Sequence, residues 1–135
     1  MPRVLLDTGP FVALLAARDR SHAVVVATFR TIDRPLVTTE AVLTETLHLL
    51  RTPRAQDAAL EFVLRGAVEL VPSDARTISR CRALMTKYAD VPMDFADATL
   101  VCLAEDLATQ SILTLDRRGF RTYRVGGRRA FDVLP

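Results

Sequence analysis

The sequence predicts an α/β fold, a mainly parallel sheet of about five strands with helices on both faces. Three observations predict it. Short apolar runs recur along the chain, and two of them are closed by an aspartate. Stretches with apolar residues at helical spacing separate the runs, and a strand that returns parallel to its predecessor needs such a crossover. No internal repeat, low-complexity tract or Gly/Ser-rich linker breaks the alternation, so residues 1–135 are expected to form one domain.

Taken in order, Val4-Leu5-Leu6 reads as a strand ended by Asp7. Gly9-Pro10 then introduces Phe11, Val12, Leu14 and Leu15 at helical spacing, proline being suited to the first turn of a helix. A second helix is expected from about Ser21 to Thr31, and Leu36-Val37, closed by Thr38-Thr39, forms the next strand. Val42, Leu43, Leu47, Leu49 and Leu50 carry a helical stripe that stops near Thr52-Pro53, because proline disfavours helical geometry in the residue before it. A further helix spans roughly Arg54 to Arg65, up to Gly66. Val68 to Pro72 is the third strand, after which Ser73 or Asp74 can cap a helix running to about Tyr88. Pro92-Met93-Asp94 opens a helix bearing Ala98, Leu100, Val101, Leu103, Ala104 and Leu107. Ile112 to Leu115 is the fourth strand, ending at Asp116, and Arg121 to Val125 is expected to supply the fifth.

Composition narrows the class. Half the residues are hydrophobic and a quarter are charged, which is globular rather than disordered. The longest apolar run, Phe11 to Ala17, is seven residues. A bilayer span needs ~20, so no membrane association is expected. The N-terminus lacks the layout of a secretory signal, and a cytoplasmic location is the expectation. Cys81 and Cys102 fall in apparently helical segments without metal-ligand spacing and read as reduced core thiols. Net charge is only +2, yet Arg117, Arg118, Arg121, Arg124, Arg128 and Arg129 crowd the C-terminal segment. Such a patch suits a nucleic acid, with a solvated charged face as the plain alternative; Arg76, Arg80 and Arg82 could extend it.

The acids carry the functional signal. Asp7 and Asp116 each end an apolar strand at its C-terminal end, the edge where open α/β sheets form ligand crevices. Turn or capping roles would explain either one alone. Asp97 shares a helical face with Leu100, Val101 and Ala104, so a charge sits on an apolar stripe. Desolvating an unpaired carboxylate costs several kcal/mol, and Asp97 therefore calls for a cation, an arginine or a proton. Glu45 borders the core between Val42 and Leu49, whereas Glu40 at the helix start is accounted for by the macrodipole. Asp94 can cap its helix and, three residues before Asp97, shares the same face.

Two carboxylates ~5 Å apart repel by ~3 kcal/mol at an effective dielectric of 20, so gathered acids need neutralising. A divalent cation does this, and oxygen donors favour Mg²⁺ over zinc, for which suitable histidine and cysteine spacing is lacking. His22 and His48 lie in separate helices and read as ordinary packed or exposed residues. There is no Gly-rich nucleotide loop.

Leu6-Asp7-Thr8-Gly9-Pro10-Phe11, the glutamate of Val42-Leu43-Thr44-Glu45, Asp94-Phe95-Ala96-Asp97-Ala98 and Leu113-Thr114-Leu115-Asp116 together resemble the PIN-domain nucleases. Among these the chain is most similar to the VapC toxin ribonucleases of VapBC toxin–antitoxin pairs. The resemblance covers nearly the whole chain. It implies a PIN-like three-layer sandwich in which Asp7, Glu45, Asp97 and Asp116 converge for catalysis. Asp7 and Asp97 would bind Mg²⁺ or Mn²⁺, with Glu45, Asp116 and Asp94 as further candidate ligands. Thr8 and Thr114 match the small hydroxyl residues beside the acids, and Arg117, Arg118 and Arg121 are candidate RNA contacts. It also implies a small antitoxin partner and a homodimer. A PIN-like binding module that no longer cuts RNA, or a nuclease of RNA processing, would have the same fold. A phosphoacceptor receiver domain is disfavoured because Lys87, the only lysine, lies in a helical segment. A haloacid-dehalogenase-type phosphatase would want an acid where Gly9 stands.

Overall fold

The computed structural model describes residues 2–135. The chain runs β1 (Val4–Leu6), α1 (Thr8–Leu15), α2 (His22–Phe29), β2 (Leu36–Thr39), α3 (Glu40–Leu50), α4 (Pro53–Leu64) and β3 (Val68–Val71). It continues through α5 (Ala75–Lys87), α6 (Phe95–Asp106), β4 (Ser111–Leu113), α7 (Arg117–Thr122), β5 (Arg124–Val125), β6 (Arg129–Ala130) and β7 (Asp132–Leu134). Five strands form one sheet in the order β3-β2-β1-β4-β7, every neighbouring pair parallel. β1 is central, and Leu5, Leu6, Val37, Ile112 and Leu113 are fully buried, as expected for a parallel sheet covered on both faces. The chain steps outward from β1 to β2 and β3, then crosses back to β4 on the other side of β1. Helices α1 to α4 pack among themselves and α5 packs on α6; with crossovers of the usual right hand the two groups cover opposite faces, which makes three layers.

Sequence features locate the helix ends. Asp7, Thr39, Thr52, Asp74, Asp94 and Asp116 each sit at an N-cap with a side-chain oxygen accepting a backbone N–H. Each satisfies a donor that the first turn leaves without an intrahelical partner. Helix α6 is the hub of the core. Ala96 and every residue from Ala98 to Ala104 are buried, so it is apolar on nearly all sides rather than amphipathic. Buried threonines fasten these layers: Thr39 and Thr99 share a hydroxyl hydrogen bond of 2.8 Å, and Thr38 donates to the Leu6 carbonyl at 2.7 Å.

The C-terminal quarter departs from the expected pattern. Arg121 and Thr122 belong to α7, and Arg124–Val125 pair antiparallel with Arg129–Ala130 in a separate small hairpin. The fifth strand of the main sheet is Asp132–Leu134, which pairs with Ser111–Leu113. Phe120 and Tyr123, three apart and fully buried, give this segment a helical period that its arginines mask. β4 also ends earlier than expected, at Leu113, and Leu115 is exposed. Cys81 and Cys102 are free and buried with sulfurs 3.9 Å apart, in keeping with reduced core thiols.

Candidate active site

Because β1 and β4 are neighbours reached from opposite directions, their C-terminal ends flank the topological switch point of the sheet. Asp7 leaves β1 there, its N–H donating to the Leu113 carbonyl at 3.0 Å. Its extended backbone turns the side chain back over the start of α1, and the residue is only 7 % exposed. Oδ1 accepts the Thr8 N–H at 2.8 Å and Oδ2 accepts the Thr114 hydroxyl at 2.7 Å. Burial pushes the Asp7 carboxyl up to about 6; those two hydrogen bonds oppose the shift, while the charges of Glu45 and Asp116 add to it.

Thr8 reaches the other way. Its hydroxyl donates to Glu45 Oε1 at 2.5 Å, which ties the middle of α3 to the start of α1. Asp116 follows β4 by three residues and caps α7, its Oδ1 accepting the Gly119 N–H at 3.1 Å. The Asp116 N–H in turn donates to Thr114 Oγ1 at 3.0 Å, so one buried threonine serves both Asp7 and Asp116. A Cβ on Gly119 would stand 2.3 Å from Asp116 Oδ2, which explains why a glycine lies beneath this carboxylate.

Asp97 stands in the first turn of α6 and forms a capping box with Asp94: the Asp97 N–H donates to Asp94 Oδ1 at 2.8 Å, and the Asp94 N–H donates to Asp97 Oδ2 at 3.2 Å. Burial pushes the Asp97 carboxyl up to about 8, reinforced by the charges of Asp94 and Asp7. Asp94 is exposed and caps the helix, as its position in the sequence allows. Repulsion thus runs from Glu45 and Asp116 to Asp7, and from Asp7 and Asp94 to Asp97. Among the described residues these acids are joined in pairs, and no three side chains stand as a ready-made metal cluster.

No ion pair among the described residues neutralises Asp97. None of the salt bridges among the described residues includes Asp7, Glu45, Asp97 or Asp116. The all-oxygen donor set, partly withdrawn from water and electrostatically overloaded, fits a hard divalent cation. Beside it a groove of about 600 Å³ is lined by Ala41, Thr44, Glu45, His48, Asp94, Phe95 and Ala96. His48 is exposed, as expected, but one turn beyond Glu45 it shares this groove with the acids.

Residues 4–125 match the PIN domain family. The chain belongs to it. Over 136 aligned positions this PIN domain is 36 % identical to Ribonuclease VapC26 of Mycobacterium tuberculosis, covering 98 % of the chain and all of that protein. Its fold also matches the crystal structure of Mycobacterium tuberculosis VapC20, a sarcin-ricin loop cleaving toxin, with a TM-score of 0.75 at 22 % identity over 81 % of this chain and 86 % of that one. The parallel five-strand sheet flanked by helices is the PIN fold anticipated from the four acidic motifs.

Two residues that touch the candidate acids escaped the sequence reading. Tyr123 is fully buried, and its hydroxyl donates to Asp97 Oδ2 at 3.3 Å. Its phenol is raised by burial and by the charges of Asp97 and Asp116, so it stays protonated and acts as a donor. Gly119 is the other. The signal for both was the Asp116-Arg117-Arg118-Gly119 start, an acid three residues ahead of the N–H it caps, followed by Phe120 and Tyr123 at helical spacing. Of the basic candidates, Arg117, Arg118 and Arg121 are exposed on α7, with Arg117 donating to the Pro135 carbonyl at 2.8 Å. Arg80 does not extend that patch, because it is bound to Asp106 at 2.9 Å and Glu105 at 3.5 Å.

Proposed function

We propose that this PIN domain is a divalent-metal-dependent endoribonuclease that hydrolyses RNA phosphodiester bonds, and that it acts as the toxin of a type II toxin–antitoxin pair. The observation that carries the activity is the pair of carboxyls at Asp7 and Asp97, raised to about 6 and about 8 with no basic side chain paired to either. Near-full-length similarity to a VapC ribonuclease supports RNA as the substrate and a small antitoxin as the partner. No helix among the described residues is long and apolar enough to cross a membrane. A homodimer and a cytoplasmic location accord with this reading.

Asp7 and Asp97 would hold Mg²⁺ or Mn²⁺, with Glu45 and Asp116 completing the oxygen set and Asp94 at its margin. When bound, the cation supplies Lewis-acid stabilisation of the charge that builds on the phosphate oxygens. The chain's own work is orientation. Thr114 and the Thr8 N–H fix both oxygens of Asp7, and the Thr8 hydroxyl holds Glu45 toward the same crevice. Glu45, half-buried and with Oε2 free of hydrogen bonds among the described residues, is the acid suited to take a proton from an attacking water. Phosphorus gains that water's oxygen and loses the bridging oxygen of the scissile bond, which departs as a hydroxyl by taking a proton from solvent. An acidic crevice repels a polyanion, so Arg117, Arg118 and Arg121 beside Asp116 would carry the backbone phosphates.

The test is cleavage of RNA by purified protein with and without chelator, alongside Asp97→Asn. Loss of product in both supports the reading; undiminished cleavage by Asp97→Asn rejects it. A PIN-like binding module would retain RNA yet give no product that depends on the acids.

A further inference from the structure

We infer that Tyr123 is a positioning residue for Asp97, one that fixes which carboxylate oxygen faces the metal; this rests on the proposed metal-dependent reading. A buried phenol must place its hydroxyl on an acceptor. Tyr123 has none of its surface exposed, and Asp97 Oδ2 is the sole hydrogen-bond partner of its hydroxyl among the described residues. The same oxygen accepts the Asp94 N–H at 3.2 Å. Oδ2 is therefore engaged by two protein donors, while no N–H or hydroxyl among the described residues donates to Oδ1.

That asymmetry has a mechanical consequence. A carboxylate held on one oxygen from two directions cannot swing freely about its terminal torsion, which is otherwise broad. Its second oxygen then projects in one direction. The donor itself is held firmly, since the Tyr123 ring packs edge-on against Tyr88 and Phe120, each with centroids 5.1 Å away. Phe120 packs in turn on Phe131 at 5.3 Å, so the end of α5, α7 and the chain leading into β7 all converge behind one phenol. Hydrogen-bond partners of this kind orient metal-binding side chains and govern affinity.

Tyr123→Phe removes the hydroxyl and keeps the ring. Mn²⁺ alone is the probe, titrated by calorimetry into chelator-stripped protein, with melting temperature and RNA-cleavage kinetics measured in parallel. The dissociation constant for Mn²⁺ should rise roughly tenfold and kcat should fall, with KM for RNA and the melting temperature little changed. In an Asp97→Asn background the same substitution should add no further loss to whatever Mn²⁺ binding remains. Wild-type Mn²⁺ affinity in Tyr123→Phe, or an equal loss in both backgrounds, overturns the inference while leaving the nuclease reading intact. Failure of the unsubstituted protein to bind Mn²⁺ overturns both.

Discussion

Thr114 shows how much of this site depends on a single neutral side chain. It is fully buried, donates to Asp7 Oδ2 at 2.7 Å and accepts the Asp116 N–H at 3.0 Å. Thr114→Val keeps the shape and strands both partners, which should cost about 1–3 kcal/mol in urea denaturation. It should also raise the Asp7 carboxyl further, moving the acid limb of the cleavage pH profile to higher pH, and Thr114→Ser should restore both. Asp7 has a stability signature of its own. Its folded pKa of about 6 lies above the ordinary carboxylate value, so the folded state holds the extra proton between the two. The benefit is full at low pH and is lost as pH rises through about 6, amounting to roughly 3 kcal/mol. With chelator present, the melting temperature should fall more steeply from pH 5 to pH 8 in the wild type than in Asp7→Asn. Parallel slopes would contradict the assignment, and saturating Mg²⁺ should flatten the wild-type slope because the cation replaces the proton.

Among the elements, α7 links a capping interaction to the site. Asp116 reaches the crevice only because Gly119 leaves room beneath it. Ala normally favours a helix over Gly by ~1 kcal/mol, so Gly119→Ala should change the melting temperature little while displacing the Asp116 carboxylate and lowering kcat several-fold. Unchanged kcat would remove Asp116 from the site. This segment is also where the sequence was hardest to read. Strands β1, β2 and β3 stood out because each is a short apolar run bounded by proline, threonine or an acid. β7 did not, since three residues at the sheet edge next to charged and glycine-rich sequence carry too little alternation to register. Asp97 stood out in the sequence as an acid on an apolar helical face, Asp7 and Asp116 as acids ending apolar strands, and Glu45 as an acid bordering the core. Tyr123 did not, because a tyrosine amid arginines is unremarkable until tertiary packing buries it against Asp97.

At the level of the whole molecule, topology assembles the site. The order β3-β2-β1-β4-β7 sets the first strand beside the fourth, so residues 7 and 114, far apart in sequence, share a hydrogen bond. Helix α6 crosses the far face as an almost wholly buried rod and delivers Asp97 at its exposed end. Acids that the chain separates by dozens of positions become mutually repulsive neighbours only in the folded state. On the proposed reading, a bound cation would relieve that repulsion. The most direct measurement is anomalous diffraction from crystals of the protein grown with Mn²⁺. The account predicts a manganese peak at the Asp7 and Asp97 carboxylates, in the crevice that Glu45 and Asp116 also border. A peak elsewhere, or none at these acids under conditions where the protein cleaves RNA, would contradict it.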